Sequence, residues 1–323
     1  MPDIAEAARR LATGEAIGFP TETVYGLGAD AANPEAVAKI FALKGRPADH
    51  PLIVHVADRD SLDAWSREVP RAARLLAARF WPGPLTLIVR KSPCVPAIVT
   101  GGQDTVGLRC PSHAFAQAML REFARYGSGA VAAPSANRFG HVSPTTAAHV
   151  RDEFGADLFV LDGGPCELGL ESTIVDLSRG APVLLRPGAI TREDIGQALG
   201  EMPRDRDADA PRASGTLAAH YATRIALSLV SPEALDAEVG AYSNVAVLAL
   251  RAPPQSALVT QWIAAPRDAA RYGHDLYANL RRLDASGAKR ILVETPPRDP
   301  SWEAVNDRLM RAAAGAGDAD DEP

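Results

Sequence analysis

Cysteine is scarce in this chain: Cys94, Cys110 and Cys166 are the three present among 323 residues, and no two form a CxxC pair. Their spacing argues against a disulfide framework or a cysteine-based zinc site and leaves them as buried structural thiols. No apolar run approaches the roughly 20 residues a membrane-spanning helix requires. The N-terminal MPDIAEAARRLATGEA mixes acids with bases and lacks a continuous apolar core, so the expected location is cytoplasmic, with no membrane partner. Positive charge is not in excess either. At a net charge of −6, surface attraction to nucleic acid is not the main driving force, and an anion site has to be focal. Also missing are a GxxxxGK[ST] loop, a GxGxxG opening a helix after a strand, an HExxH helix and a supportable Ser-His-Asp order. The common phosphate-loop, dinucleotide, zinc-protease and triad chemistries therefore have no signature here.

What is present is an ordinary globular composition, 46% hydrophobic and 23% charged, in a chain long enough for about two domains. From residue 3 to about 199, helical and strand patterns alternate as in an α/β domain. Asp3 caps a helix whose face carries Ile4, Ala7, Ala8 and Leu11 and which Gly14 ends. Asn33 and Pro34 open another, stopped at Gly45. Further helices fit 71–80, 112–123 and 145–154. Strands fit 51–56, 85–89, 105–110, 130–133, 158–161, 173–176 and 183–186. The stretch EMPRDRDADAPRASG is polar and aperiodic and reads as a linker. Beyond it, NVAVLAL and RILVE read as buried strands flanking a helix over 268–283, a second and smaller α/β domain. The terminal GAGDADDEP is expected to be disordered. The resulting division is 1–200, a linker or lid over 201–222, a smaller domain over 223–314, and a tail over 315–323.

Chemistry concentrates where strands end. After the run AIGFP come the hydroxyls of Thr21, Thr23 and Tyr25. Lys44 and Arg46 flank the helix stop at Gly45, a pair suited to a phosphate chain rather than to capping alone. His55 shares a strand face with Ile53, where a lone histidine is more often a core or rim residue than a catalyst. In TVGLRC the two-residue period places Thr105, Gly107 and Arg109 on one face, Thr105 and Arg109 about 13 Å apart. Ser135 and Asn137 follow a strand. Ser143 and Pro144 read as the cap and first residue of a helix. Ser172 and Thr173 stand at a strand entrance and Arg186 at a strand end. Lys44, Arg46, Arg109 and Arg186 together offset most of the charge of a triphosphate, and no nucleophile is implied.

The blocks PTETVYGLGADA, KGRP, HPLIVHV, VGLRCP, PSAN, SPTTA, GLESTIVDL and LLRPG, in this order, closely resemble the YrdC-type domain of threonylcarbamoyl-AMP synthases over residues 4 to 200. SGTLAAHYA and the region after it resemble the long, two-domain form. The resemblance implies a twisted α/β sheet with helices and a concave basic cleft, followed by a smaller Rossmann-like domain. It implies an enzyme that joins L-threonine, bicarbonate and ATP, the last with Mg²⁺, into L-threonylcarbamoyladenylate and pyrophosphate. A separate transferase then modifies tRNA, so direct tRNA binding is not required. Carried over by motif, Lys44 and Arg46 would act on the phosphates. Thr23, His55, Arg109, Ser172 and the Ala133 backbone would hold threonine. Arg46, His50, Thr105, Ser135, Asn137, Ser143, Arg186 and Tyr221 would hold ATP, Tyr221 from a closing lid. Two departures stand out: His50 replaces the usual asparagine, and SGTLAAHYAT lacks the family's lysine and closing proline. A carbamoyltransferase relative, an RNA-binding module and an idle nucleotide sensor are the competing readings.

Overall fold

Nine strands build the sheet of the first of two units in the computed structural model, which describes residues 3–255 and 257–316. They are β1 (Ile17–Phe19), β2 (Gly26–Asp30), β3 (Ile53–His55), β4 (Leu85–Arg90), β5 (Thr105–Arg109), β6 (Val131–Ala133), β7 (Thr173–Asp176), β8 (Val183–Arg186) and β9 (Arg204–Asp205). Their order across the mixed sheet is β1-β2-β6-β3-β5-β4-β7-β8-β9. This unit runs to Phe139, resumes at Pro144 and ends at Thr216; residues Gly140–Ser143 cluster instead with the second unit, from Leu217 on.

The alternation read in the strands decides the two faces. Val54, Leu87, Val89, Val106, Leu108, Ala132, Val175 and Leu184 share one core with Val37, Ile40 and Leu76 of the helices Pro34–Lys44 and Arg71–Phe80. Burying each of these Val, Leu and Ile side chains contributes roughly 1.5–3 kcal/mol. The opposite face is divided. At one end Ile17, Phe19, Val131 and Ala133 pack with the helices Ile4–Ala12 and Ala114–Phe123. At the other, Ile53, Ile88, Ile174, Val183 and Leu185 are covered by Ala213 from the linker. The aperiodic linker is thus a strap lying on the sheet of the first unit. Gly28 shows how tightly the first end is packed, since a Cβ there would lie 2.5 Å from Val131 Cγ1 and 2.6 Å from the Phe19 ring.

In the second unit β10 (Ala226–Val230), β11 (Val245–Ala249), β12 (Gln261–Ala264) and β13 (Arg290–Glu294) form an all-parallel sheet in the order β10-β13-β11-β12. β11 is buried throughout, as a parallel strand covered on both faces should be. The helices are Leu235–Ala241, Ala269–Asp284 and Glu303–Gly315. Among the described residues no helix is long and apolar enough to cross a membrane. Of the expected tail, Gly315 ends the last helix and residues 317–323 lie outside the described residues.

Four expectations are corrected. Cys94 is exposed, so the reading as buried thiols holds for Cys110 and Cys166 but not for it. The helix after PSAN begins at Ala147 with Thr146 as its cap, the Thr146 side chain accepting from His149 N, so Ser143 and Pro144 do not open it. The Pro144 carbonyl is taken by Tyr25 N at 2.9 Å, which keeps that segment extended. Residues 158–161 are not a strand but a single bridge between Val160 and Gly18. The strand expected over 51–56 is limited to Ile53–His55.

Candidate functional site

Register places the polar row. His55 pairs with Arg109 across β3 and β5, and Arg109 with Thr86 across β5 and β4. Paired residues share a face, so these three stand with Thr105 and Gly107 on the face that carries the strap. Gly107 leaves room: a Cβ there would meet Thr86 Cγ2 only at 3.4 Å. A shallow recess, open to solvent, is lined by Ile53, Thr86, Thr105, Gly107, Ala213 and Ser214 among others.

One station of the site is built around Arg109. Its Nη1 donates to Thr23 Oγ1 at 2.8 Å, and its Nη2 lies 2.7 Å from Glu22 Oε1, with both charged side chains buried. The turn that delivers these groups is self-braced. Thr21 Oγ1 accepts from the backbone N–H of Thr23 and Val24, each at 3.2 Å, and lies 2.8 Å from Thr23 Oγ1. His55 is buried beside it, Nδ1 3.2 Å from the Ile53 carbonyl and its ring edge-on to Phe19. Burial, with the Arg109 charge adding, pushes its pKa down to about 3, so the imidazole is neutral. Ala133, on β6, pairs with Ile53.

A second station runs from Thr86 through Ser172 to Arg186. Thr86 Oγ1 and Ser172 Oγ are 2.8 Å apart. Arg186 donates through Nη2 to Ser172 Oγ at 3.2 Å and through Nε and Nη2 to the Ser172 carbonyl at 3.1 and 2.9 Å. Its Nη1 reaches the Ser214 carbonyl at 2.8 Å. Arg46 approaches the same residue, with Nη2 3.0 Å from the Pro51 carbonyl and 3.5 Å from Ser214 Oγ, while Ser214 Oγ donates to the Pro51 carbonyl at 2.8 Å. Arg46 and Arg186 therefore meet on one strap residue.

Lys44 is buried rather than solvated. Its Nζ donates to the carbonyls of Ser135, at 2.7 Å, and Asn137, fastening the PSAN loop to the helix end, and Phe139 N returns a bond to the Lys44 carbonyl at 2.9 Å. Burial, with Arg46 nearby, holds the ammonium well below the usual lysine range. Arg46 and His50 both face the Phe139 ring, at 5.5 and 5.2 Å. Burial and then the Arg46 charge lower the pKa of His50.

Of the expected nucleotide residues, Ser143 and Tyr221 belong to the second unit. Tyr221 is buried there in a left-handed backbone conformation, φ 62°, with His220 stacked on it at 4.3 Å and the Arg308 guanidinium 5.5 Å from its ring. The rest of the expected set belongs to the first unit. Sequence reasoning missed Glu22, Thr86 and Ser214. An acid between two threonines in a buried run was the available signal for Glu22; Thr86 and Ser214 had none.

Among the described residues no group of three or more His, Cys, Asp or Glu side chains is placed to hold a metal ion. Apart from the Glu22 carboxylate, which is paired with Arg109, the polar groups at the cleft are cations, hydroxyls and carbonyls, so these residues fit Mg²⁺ only as a companion of a phosphate chain.

Residues 9–188 match the family described as "Telomere recombination", the Sua5/YciO/YrdC family, and residues 190–314 match "Threonylcarbamoyl-AMP synthase, C-terminal domain". A threonylcarbamoyl-AMP synthase of Bacillus subtilis is 40% identical over 97% of this chain and 94% of its own length. That of Pyrococcus abyssi is 46% identical over 67% of this chain and 64% of its own length. The crystal structure of P. abyssi Sua5 complexed with L-threonine superimposes with a TM-score of 0.87 at 36% identity, covering 97% of this chain and 95% of that one. With both family models in sequence and a full-length structural match, the chain belongs to the threonylcarbamoyl-AMP synthase family, in its two-domain form.

Proposed function

We propose that this enzyme makes L-threonylcarbamoyladenylate from L-threonine, bicarbonate and ATP, releasing pyrophosphate, and that a downstream transferase passes the threonylcarbamoyl group to tRNA. The observation that carries the reading is the pair of stations on one sheet face. Arg109 with Thr23 suits an amino acid carboxylate and hydroxyl, and Arg186 with Arg46 suits a phosphate chain.

The chemistry asks for alignment more than for a base. Threonine's amine and bicarbonate give a carbamate and water. A carbamate oxygen then attacks the α-phosphorus, a new P–O bond forms, and the bond to the β-phosphate oxygen breaks with its electron pair leaving on pyrophosphate. The nucleophile is already an anion. The residues match that demand: His55 is neutral with Nδ1 held near a carbonyl, and Lys44 spends donors on the PSAN loop. Positioned cations remain as the working groups, and Mg²⁺, arriving with ATP, would add charge neutralisation. Cytoplasmic location, independence from membranes and independence from direct tRNA contact belong to the same proposal.

The test is pyrophosphate release by purified protein given threonine, bicarbonate, ATP and Mg²⁺. Omitting threonine or bicarbonate should abolish release; equal release without threonine rejects the function.

A further inference from the structure

We infer that Arg281, on the helix Ala269–Asp284, is a positioning residue for the loop that carries Ser143. This deepens the synthase reading and rests on it for its kinetic consequence. The loop Gly140–Ser143 leads in sequence from PSAN to the first residue of SPTTA, two of the motif blocks, yet it clusters with the second unit. Because the following helix begins only at Ala147, helix capping does not hold the loop in place.

Other groups do. Arg281 Nη2 donates to the Val142 carbonyl, and its Nε lies 3.5 Å from the Ser143 carbonyl. Ala222 N donates to the Gly140 carbonyl at 2.7 Å, and His141 and Ala222 form a parallel bridge. Val142 and Ser143 are buried, 4% and 0% exposed, so their carbonyls require partners from within the protein. A guanidinium has the planar fork that can serve two successive carbonyls, whereas a lysine offers a single point of charge. The bridge at Ala222 also borders Tyr221, whose φ of 62° is a conformation that costs a non-glycine residue about 1–2 kcal/mol. Arg281 and this single bridge therefore set the backbone at Ser143 and next to Tyr221, the two expected nucleotide residues outside the first unit. Within the second unit, the smaller domain thereby holds the backbone of the loop that ends at Ser143.

The experiment uses the full chain, comparing Arg281→Gln, Arg281→Lys and, as a control, the exposed neighbour Arg282→Gln. Losing a charge-assisted bond to the buried carbonyls should raise KM for ATP about five- to tenfold. KM for threonine should stay at the wild-type value, Arg281→Lys should recover part of the loss, and Arg282→Gln should match wild type. Hydrogen exchange, read without substrates, should show amides 140–146 exchanging faster in Arg281→Lys while those of β5 are unchanged. A wild-type KM for ATP in Arg281→Gln, or equal rises in both KM values, overturns the inference, as does unaltered exchange over 140–146. A wild-type chain without threonine-dependent pyrophosphate release would instead sink the synthase reading, and exchange would still decide whether Arg281 holds the loop.

Discussion

Replacing Glu22 by glutamine removes the counter-charge of a buried arginine while preserving side-chain volume. The pair is 2.7 Å apart with side-chain exposures of 4% for Arg109 and 2% for Glu22, so water cannot substitute for the lost carboxylate. Removing one partner of such a pair costs roughly 3–5 kcal/mol, and glutamine's remaining acceptor places the expected loss near the lower bound, about 3 kcal/mol. For a unit of this size that lowers Tm by about 6–12 °C. The informative part is how threonine changes the deficit. Under the proposed assignment its carboxylate brings a negative charge to Arg109, which is worth more where Glu22 no longer competes. At a hundredfold excess over Kd, ligand binding stabilises wild type by about 2.7 kcal/mol. In Glu22→Gln the threonine increment should be larger by roughly 1–2 kcal/mol, corresponding to about tenfold tighter binding. Calorimetric melts of both proteins across a threonine titration read this directly. Identical threonine increments in the two proteins would refute the assignment of Arg109 to the carboxylate.

Arg186→Ala should raise KM for ATP more than KM for threonine, and Arg109→Ala should do the reverse; equal losses in steady-state assays would mean that the two stations are not separate. His55 gives a pH prediction with a definite sign. Its pKa falls from 6.5 to about 3 on folding, so above pH 6.5 both states hold it neutral and its contribution is intact. Between pH 6.5 and 3 the unfolded chain takes up a proton that the folded one refuses, and stability is lost at up to about 1.4 kcal/mol per pH unit. Urea unfolding at pH 7, 6, 5 and 4 should show this slope reduced in His55→Gln, and an unchanged slope would place the acid sensitivity elsewhere.

Much of the first unit was legible because its strands alternate. In β5 the period alone put Thr105, Gly107 and Arg109 on the working face, and the register bears that placement out against Thr86 and His55. The Asn33 cap, the Pro34 start and the left-handed Gly45 stop were written locally, and the helix obeys them. Ser143 misled because a serine followed by proline is a good helix start in isolation. Here the Pro144 carbonyl is engaged by Tyr25, far away in sequence, and Thr146 supplies the cap instead. The apolar run at 158–161 failed for a related reason. Its Phe159 carbonyl and Leu161 N–H both bond Gly18, so a single residue satisfies the segment and no ladder propagates. Glu22 with Arg109 and Thr86 with Ser172 are each 86 or more positions apart. Such pairings depend on strand order, which no local pattern encodes. Ser214 sat in a stretch whose composition announced only irregularity.

The strap has a consequence for measured affinity. Arg186 already gives one donor to the Ser214 carbonyl, and Arg46 lies against the same residue, so the chain's own peptide occupies part of what a phosphate would use. Under the proposed assignment, a nucleotide taking those donors would trade places with an internal rival, and its apparent dissociation constant would become the intrinsic one divided by the fraction of molecules in which residues 212–214 have moved aside. Changes to the strap can thereby tune binding without touching any ligand-facing side chain.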